Sequence, residues 1–392
     1  MNRLSRDQLG AGIPVPMDCY DLHGRLVLAR GGIIASRKQL DYLLEYGLYA
    51  LEVASVASPL HALPKLHACY LQLEQIFAAA LATEARASSS SPSPSPAAQL
   101  ADLLNGKKVD AGTTVPDDVH PEVHPFSGQI MQLVAELQAL CLTAPDALLA
   151  AIHRNQIGAR YSIAHALSRA ILCELLATRR RIPERNRRLL LAAALTSELS
   201  ILALQDALVV QPGGLSPDQQ QGMAEHPTAS IALLATIGAI DPSWTNVILQ
   251  HHELLNGNGY PGGLTGAEIM PWARIMKIAD AYAAMITPQA YRKTLLSKAA
   301  MNELLQKRGT EFDDELVVMF VKEVGVLPPG VAVKLRSDEI AIVVQRELNP
   351  RAPLVEVVIG PRGHCLAKPT LRKTDSHEHE IIDVVACPVS PT

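Results

Sequence analysis

Residues 251–263 read His-His-Glu-Leu-Leu-Asn-Gly-Asn-Gly-Tyr-Pro-Gly-Gly, and no other stretch of the chain is as informative. Because a helix has about 3.6 residues per turn, adjacent side chains point in different directions. His251 and His252 can therefore face one ion only at a helix end or kink. The glycines and the proline that follow them favour such a break. The sequence predicts two imidazoles at the end of a helix, followed by a loop of defined shape.

The composition of the 392-residue chain limits the classes of function. Its formal net charge of −4 disfavours general binding to nucleic acid through bulk charge. Six cysteines occur without the spacing of a zinc finger, which indicates reduced thiols and a cytoplasmic protein. The most apolar stretch, Leu189 to Val210, is interrupted by polar residues, so we expect a buried helix and no membrane insertion. The oligomeric state stays open.

Changes in composition and periodicity divide the chain into four parts. The serine- and proline-rich run at residues 88–96 cannot bury apolar surface and marks a linker. After the linker, apolar residues recur at helical spacings, and beyond residue 330 the period changes to two, which predicts strands at residues 331–335, 340–344 and 354–359. The predicted parts are a small N-terminal α/β domain with a trailing helix at 1–86, the linker at 87–124, a helical domain at 125–326, and a β appendage with a tail at 327–392.

The N-terminal part has its own local signals. Apolar, β-branched stretches at residues 13–15 and 25–28 predict strands. Ser36 is a candidate N-cap for a helix that reaches Tyr46 and ends at Gly47. These signals suggest only a regulatory or docking role.

Residues 251–263 resemble the signature loop of the HD-GYP family, which resembles HD-type phosphohydrolases and acts on cyclic di-GMP. The segment Tyr161-Ser-Ile-Ala-His165 is similar to the family's first ligand segment, in which a tyrosine stands four residues before a histidine. The resemblance covers roughly residues 125–385. It implies a mainly α fold: an HD-domain helical bundle with the small N-terminal α/β domain and a small C-terminal β-barrel-like appendage.

The resemblance also implies a binuclear metal site in which one carboxylate bridges two ions. The implied ligands of one ion are His226, His251 and His252, with Glu198 as the bridging carboxylate; those of the other are His165, Glu198 and Asp280. The second set lacks an imidazole of the family pattern, so we expect it to bind weakly. The predicted cofactor is a divalent metal such as iron or manganese, with one ion or none per chain.

This chain departs from the family pattern at the His-Asp dyad, at the lysine that follows it and at one arginine. The family's His-Asp dyad and the lysine after it correspond to Ser197, Glu198 and Ile201. A serine hydroxyl is a poorer ligand than imidazole for a divalent transition metal, and isoleucine supplies no cation. Gln289 stands where the family has an arginine that can grip a phosphate with two hydrogen bonds. The ligand-binding and loop residues that the resemblance implies are Asn256, Gly257, Gly259, Tyr260, Pro261, Arg274 and Arg292.

Two hypotheses for the function remain. The first is an active, metal-dependent cyclic di-GMP phosphodiesterase in which a metal-bound hydroxide attacks the phosphodiester. The second is a degenerate HD-GYP domain, inactive or weakly active, that acts as a receptor or regulator through cyclic di-GMP or through proteins such as those with GGDEF domains. The dyad histidine, the lysine and the arginine are lost together while the loop persists. We therefore favour the second hypothesis.

Overall fold

The computed structural model describes residues 2–3, 19–20, 26–28, 34–45, 49–50, 59–88, 125–238 and 241–386. The chain divides into two compact units, Met1–Pro59 and Leu60–Thr392. Most of the predicted linker, residues 89–124, lies outside the described residues, as does the strand predicted at residues 13–15.

The first unit contains a short antiparallel sheet and one helix. Its strands are β1 (Asn2–Arg3), β2 (Cys19–Tyr20), β3 (Leu26–Leu28) and β4 (Tyr49–Ala50), in the order β1-β4-β2-β3. Helix α1 spans Arg37–Glu45. The Ser36 hydroxyl accepts a hydrogen bond from the backbone N–H of Gln39, 3.2 Å away, which confirms Ser36 as the N-cap.

The second unit is mainly helical. Its helices are α2 (Pro59–Ser88), α3 (Pro125–Thr143), α4 (Pro145–His153), α5 (Tyr161–Arg179), α6 (Glu184–Thr196), α7 (Leu202–Val210), α8 (Pro217–Thr236), α9 (Pro242–Gln250), α10 (Pro271–Ile286), α11 (Ser297–Gln306) and α12 (Asp314–Val324). One face of α2 is buried in the same core as these helices, through residues such as Leu66, Leu73 and Phe77. The trailing helix that the sequence grouped with the N-terminal domain thus packs in the second unit.

Helix α5 lies at the centre of this unit. All its residues from Ile163 to Ala177 are buried except Ala164. Helices α6 and α10 both pack against it, and the small residues Ala192, Ala193 and Ala194 allow α6 to approach closely. Polar side chains that α5, α6 and α10 direct inward therefore meet in a space shielded from water.

Among the described residues, the stretch Glu184–Val210, which joins α6 and α7, has the length and apolar composition to cross a membrane. A second, Pro125–His153, qualifies only if its two helices, bent by 103°, are counted together. The most apolar window of Glu184–Val210 is 61% buried inside the protein, and core helices pass the same compositional test. The structure thus agrees with the expectation of a buried helix in this region.

The C-terminal part forms an antiparallel sheet of five strands. They are β5 (Ala332–Leu335), β6 (Ile340–Gln345), β7 (Leu354–Ile359), β8 (Cys365–Lys373) and β9 (Ile381–Val385), in the order β8-β7-β6-β5-β9. The three predicted strands correspond to β5, β6 and β7 and are confirmed. Strand β8 contains Pro369, which suits an edge strand but weakens the sequence signal. Within the described residues the sheet is open, with β8 and β9 at its edges, so the barrel-like prediction is not confirmed.

Candidate metal centre

The start of α5 is held by Asp206, and this fixes the position of His165 one turn later. The Asp206 carboxylate accepts hydrogen bonds from the backbone N–H of Ser162 at 2.8 Å and from its hydroxyl at 3.0 Å. It also pairs with Arg160 Nε at 2.5 Å. These contacts satisfy a backbone donor that a helix start leaves unpaired. The His165 ring stacks on Tyr161, with centroids 5.2 Å apart.

The structure brings the six predicted ligand residues together in two groups. The first consists of His226, His251 and His252, and the second of His165, Glu198 and Asp280. Within each group, one potential ligand atom of every residue lies within 4.8 Å of the others. The sequence assigned Glu198 to both sets as a bridging carboxylate, whereas here it groups only with His165 and Asp280.

In the first group, two imidazoles direct ring nitrogens at each other. His226 Nδ1 donates to the carbonyl of Met223 and His251 Nδ1 to the carbonyl of Ile248, each at 2.6 Å. Each Nε2 atom is therefore left as an acceptor, and the two Nε2 atoms lie 3.2 Å apart. Burial lowers the pKa of both rings, so they are neutral at pH 7. Neutral imidazoles whose Nδ1 is held by a carbonyl are the form that binds metal ions.

His252 completes this group from the end of α9. Burial also lowers the pKa of His252 well below its usual value. Its Nε2 atom is shielded from solvent and has no hydrogen-bond partner among the described residues. This donor chemistry fits a divalent transition-metal ion. Lys277 Nζ, however, lies 3.4 Å from His252 Nδ1, and its positive charge would weaken ion binding here.

The second group contains a cation of its own. Arg169 is completely buried, and its Nη1 lies 2.7 Å from Glu198 Oε2 and 2.9 Å from Asp280 Oδ1. His165 Nε2 is 3.1 Å from the same Asp280 oxygen. Burial alone would raise the pKa of Asp280, but the hydrogen bond to His165 and the charge of Arg169 hold it well below its usual range. This set does not fit a metal ion, because a guanidinium already bridges its carboxylates.

Glu253 anchors the loop that follows His252. The Glu253 carboxylate accepts hydrogen bonds from the backbone N–H groups of Gly262 at 2.6 Å and Leu264 at 2.9 Å. A Cβ atom at Gly259 would lie 2.4 Å from Glu253 Cα, so only glycine fits there. Gly257, with φ of +78°, adopts a conformation that favours glycine.

Two further loop contacts involve predicted residues. The ring of Tyr260 stacks on that of His252, with centroids 4.7 Å apart, and the peptide bond between Tyr260 and Pro261 is cis. Asn256 Oδ1 accepts a hydrogen bond from the backbone N–H of Asn258 at 3.0 Å. The loop therefore covers the His252 side of the imidazole group.

A cleft of about 120 Å³ opens beside both groups. Its lining includes Tyr161, His165, Glu198, His252, Asp280, Gln289 and Arg292. Pockets for whole drug-sized ligands usually enclose about 300–1,000 Å³. In this conformation the cleft has room for a phosphate group rather than for an entire cyclic dinucleotide.

The two predicted arginines differ in their placement. Arg292 lines the cleft, donates to the carbonyl of Ala284 at 2.5 Å, and has an Nε atom without a partner in the described part of the chain. Arg274 binds Asp313 at 3.1 Å and the carbonyl of Gly266 at 2.7 Å, and it is not among the cleft residues. The ligand-binding role predicted for Arg274 stays a prediction, while the contacts shown here are structural ones to Asp313 and Gly266.

Comparison with known proteins identifies the fold. The HD domain family model matches residues 149–316. The chain is 29% identical over 223 residues to cyclic di-GMP phosphodiesterase PA4108 of Pseudomonas aeruginosa, covering 56% of this chain and 53% of the relative. It is 27% identical over 205 residues to cyclic di-GMP phosphodiesterase PdeB of Borreliella burgdorferi, covering 52% and 54%. The chain belongs to the HD-GYP family.

The HD-GYP chain spans about half the length of these curated relatives. Among solved structures, Bd1817, an HDG"Y"P protein from Bdellovibrio bacteriovorus, aligns with 82% of this chain and 98% of its own, at 17% identity and a TM-score of 0.42. That likeness is too distant to inform the site.

The departures from the HD-GYP pattern are all at buried positions. Ser197 is fully buried, and its hydroxyl has no hydrogen-bond partner among the described residues. Ile201 is also buried and brings no charge. Gln289 donates from Nε2 to the hydroxyl of Tyr161 at 2.5 Å. Its amide is thus bonded inside the cleft wall, where the family arginine would supply a cation.

The sequence reasoning missed three residues of this HD-GYP site: Arg169, Lys277 and Glu253. A signal was available for the first two. Arg169 stands four residues after His165, and Lys277 three residues before Asp280. Residues at these spacings share one face of a helix, so both cations could have been placed beside the predicted ligands.

Proposed function

We propose that this HD-GYP protein is a cyclic di-GMP signalling protein with a degenerate site, which binds a nucleotide or a protein partner and hydrolyses little or none. The observation that carries the proposal is the buried hydroxyl of Ser197 at the position of the family's dyad histidine. A hydroxyl there offers no imidazole nitrogen to a metal ion. The group around His165 is then left with one imidazole, and that imidazole is hydrogen-bonded to Asp280.

The histidine group supports the retention of one ion. His226, His251 and His252 would hold it, with iron or manganese as the candidate metals. Such an ion, when bound, supplies a Lewis acid that polarises a phosphoryl oxygen. Arg292 and the Tyr161 hydroxyl line the same cleft and would orient the phosphate. With a single ion position, the protein is suited to binding more than to attack on phosphorus.

The proposed ligand class is a cyclic dinucleotide. The relatives include cyclic di-GMP phosphodiesterases and a 3'3'-cGAMP-specific phosphodiesterase of Vibrio cholerae that is 26% identical over 168 residues. The cleft volume supports entry of one phosphate, with the rest of the ligand lying across the cleft mouth.

The proposal also includes a second kind of ligand, a protein partner. The loop keeps its anchored shape, and it exposes Asn256, Asn258, Pro261, Gly262 and Gly263 to solvent. Rigid, exposed loops are common recognition elements. GGDEF-domain proteins are the proposed partners, and the loop is the proposed contact surface.

An active phosphodiesterase is the second candidate, and the intact histidine group favours it. To measure turnover, the full chain loaded with Mn²⁺ or Fe²⁺ is incubated with cyclic di-GMP or 3'3'-cGAMP, and linear products are quantified by chromatography. Binding of the same nucleotides is measured separately by calorimetry. We expect binding with turnover at background level. Linear product that disappears in His252→Ala would instead establish the enzyme.

The binding assay has matched controls. Arg292→Ala should weaken nucleotide binding at least about tenfold, a loss of about 1.4 kcal/mol, because it removes the cleft guanidinium. Lys293→Ala removes a neighbouring cation from an exposed position and should leave binding unchanged. If the wild type binds neither nucleotide, the receptor form is wrong, and a pull-down with purified GGDEF domains, comparing wild type with Pro261→Ala, tests the partner form.

A further inference from the structure

We propose that the Arg169 guanidinium replaces the second metal ion: it is a built-in cation that permanently neutralises Glu198 and Asp280. The inference deepens the proposed function by giving the physical reason for its single ion. It rests on the position of Arg169 and on the carboxylates around it, and it does not depend on which nucleotide or partner binds.

The geometry places the guanidinium where an ion would lie. The ligand atoms of His165, Glu198 and Asp280 are within 4.8 Å of one another. Arg169 Nη1 lies between the two carboxylates, 2.7 Å from Glu198 Oε2 and 2.9 Å from Asp280 Oδ1. A divalent ion bound to the same two oxygens would stand about 2.0–2.2 Å from each. It would occupy the space that Nη1 already fills, so the two cations exclude each other.

The charge balance supports the same assignment. Glu198 and Asp280 are two buried carboxylates, and buried charges need a compensating partner. Arg169 supplies one positive charge and cannot be deprotonated in a protein. Lys277, half-buried on α10 three residues before Asp280, brings a second positive charge to the same face of that helix. The carboxylates are therefore neutralised by the chain itself, without a second ion.

Arg169 is also fixed in place. Its Nε donates to the carbonyl of Ala194 at 2.8 Å, and none of its side chain is exposed. Arg169 Nη2 and Ser197 Oγ are both shielded from solvent and have no hydrogen-bond partner in the described part of the chain. Unpaired buried polar atoms are uncommon in native proteins.

The test is a count of bound metal in the full-length chain. Wild type, Arg169→Ala and Arg169→Lys are stripped with a chelator, saturated with Mn²⁺, desalted, and measured by elemental analysis. Wild type should hold at most one ion per chain. Arg169→Ala frees both carboxylates and should hold one ion more than wild type, and Arg169→Lys, which keeps a cation, should not. Arg169→Ala/Ser197→His, which also restores an imidazole, should hold the additional ion more tightly.

Thermal unfolding gives a second readout. Without metal, Arg169→Ala should melt at a lower temperature than wild type, because two buried carboxylates lose their partner. Mn²⁺ should raise its melting temperature by more than it raises that of wild type. Two ions in the wild type, or no gain of an ion in folded Arg169→Ala, would overturn the proposal.

If Arg169→Ala does not fold, a different single substitution in the wild-type chain tests the same proposal. Asp280→Asn keeps the shape of the side chain and leaves Glu198 to pair with Arg169. If Asp280 serves the guanidinium, this variant retains the wild-type metal count; a loss of one ion would make Asp280 a metal ligand and contradict the proposal. These counts are independent of the nucleotide assays, so either proposal can fail without the other.

Discussion

The Nε2 atoms of His226 and His251 face each other at 3.2 Å, and both rings donate their Nδ1 proton to a backbone carbonyl. Two neutral acceptors at this distance gain nothing from each other. A cation that both nitrogens can bind removes the conflict. This pair is the part of the site best prepared for metal.

Removal of one of these imidazoles should abolish the stabilisation by metal. At a metal concentration one hundred times the dissociation constant, Mn²⁺ should stabilise the wild type by about 2.7 kcal/mol, and His251→Ala should lose this gain. The measurement is urea unfolding with Mn²⁺ and with chelator. His377→Ala, in the exposed loop between β8 and β9, is the control and should behave as wild type. An equal gain in His251→Ala would place the ion elsewhere.

Glu253 should determine the stability of the loop. Its carboxylate accepts two backbone hydrogen bonds from a buried position, and bonds to charged groups contribute about 1.5–3 kcal/mol each. We expect Glu253→Ala to lower the free energy of unfolding by about 3 kcal/mol, and Glu253→Gln by less, since an amide keeps one acceptor. Amide hydrogen exchange at Gly262 and Leu264 checks the mechanism: unchanged protection at both would exclude the anchoring role.

Much of the fold could be predicted because the signals were local. The helical periodicity, the three alternating strands and the glycine-rich loop are each readable within a short window. Strands β8 and β9 were missed because neither shows clean alternation: β8 contains Pro369, and the burial along β9 is irregular. The open edge of the sheet depends on strand pairing, which a local pattern does not specify.

In the candidate site, too, the sequence predicted what local motifs specify and missed what depends on contacts between distant residues. His165, His226, His251, His252 and Asp280 came from motif positions, and the structure gathers them. What the motif could not supply is the pairing between side chains from different helices. The spacing of Arg169 from His165 could place it on the same helix face, but only the fold brings it to Glu198, beyond the end of α6. Arg274 is the opposite case: its position matches the family pattern, but it pairs with Asp313 and does not line the cleft.

Lys277 should set the metal affinity of the histidine group. Its ammonium lies 3.4 Å from His252 Nδ1, and burial lowers the pKa of Lys277, as expected for a cation partly removed from water. Lys277→Met removes the charge and keeps most of the volume. Titration with Mn²⁺ should give at least about tenfold tighter binding, equivalent to about 1.4 kcal/mol. Lys293→Met, at an exposed position, should bind Mn²⁺ as wild type does, and equal affinity in all three proteins would remove Lys277 from the site.

His153 should make the helical unit sensitive to acid. Its Nδ1 donates to the carbonyl of Leu149 at 2.7 Å, and Nε2 accepts from the hydroxyl of Tyr282 at 2.8 Å. Burial lowers the pKa of His153 from 6.5 to about 4. Between pH 6.5 and about 4 the unfolded chain binds a proton at His153 that the folded chain does not. The free energy of unfolding is therefore undiminished above pH 6.5 and falls as the pH is lowered toward 4.

The size of this effect follows from the difference in pKa. A difference of about 2.5 corresponds to at most about 3.4 kcal/mol, at about 1.36 kcal/mol per pKa unit. His153→Gln keeps a donor and an acceptor but does not titrate, so its stability should fall less steeply than that of wild type over this range. Urea unfolding of both proteins at closely spaced pH values, with chelator present, measures the difference. The other buried histidines titrate in both proteins and cancel, and parallel curves would mean that His153 is protonated as readily in the folded chain as in the unfolded one.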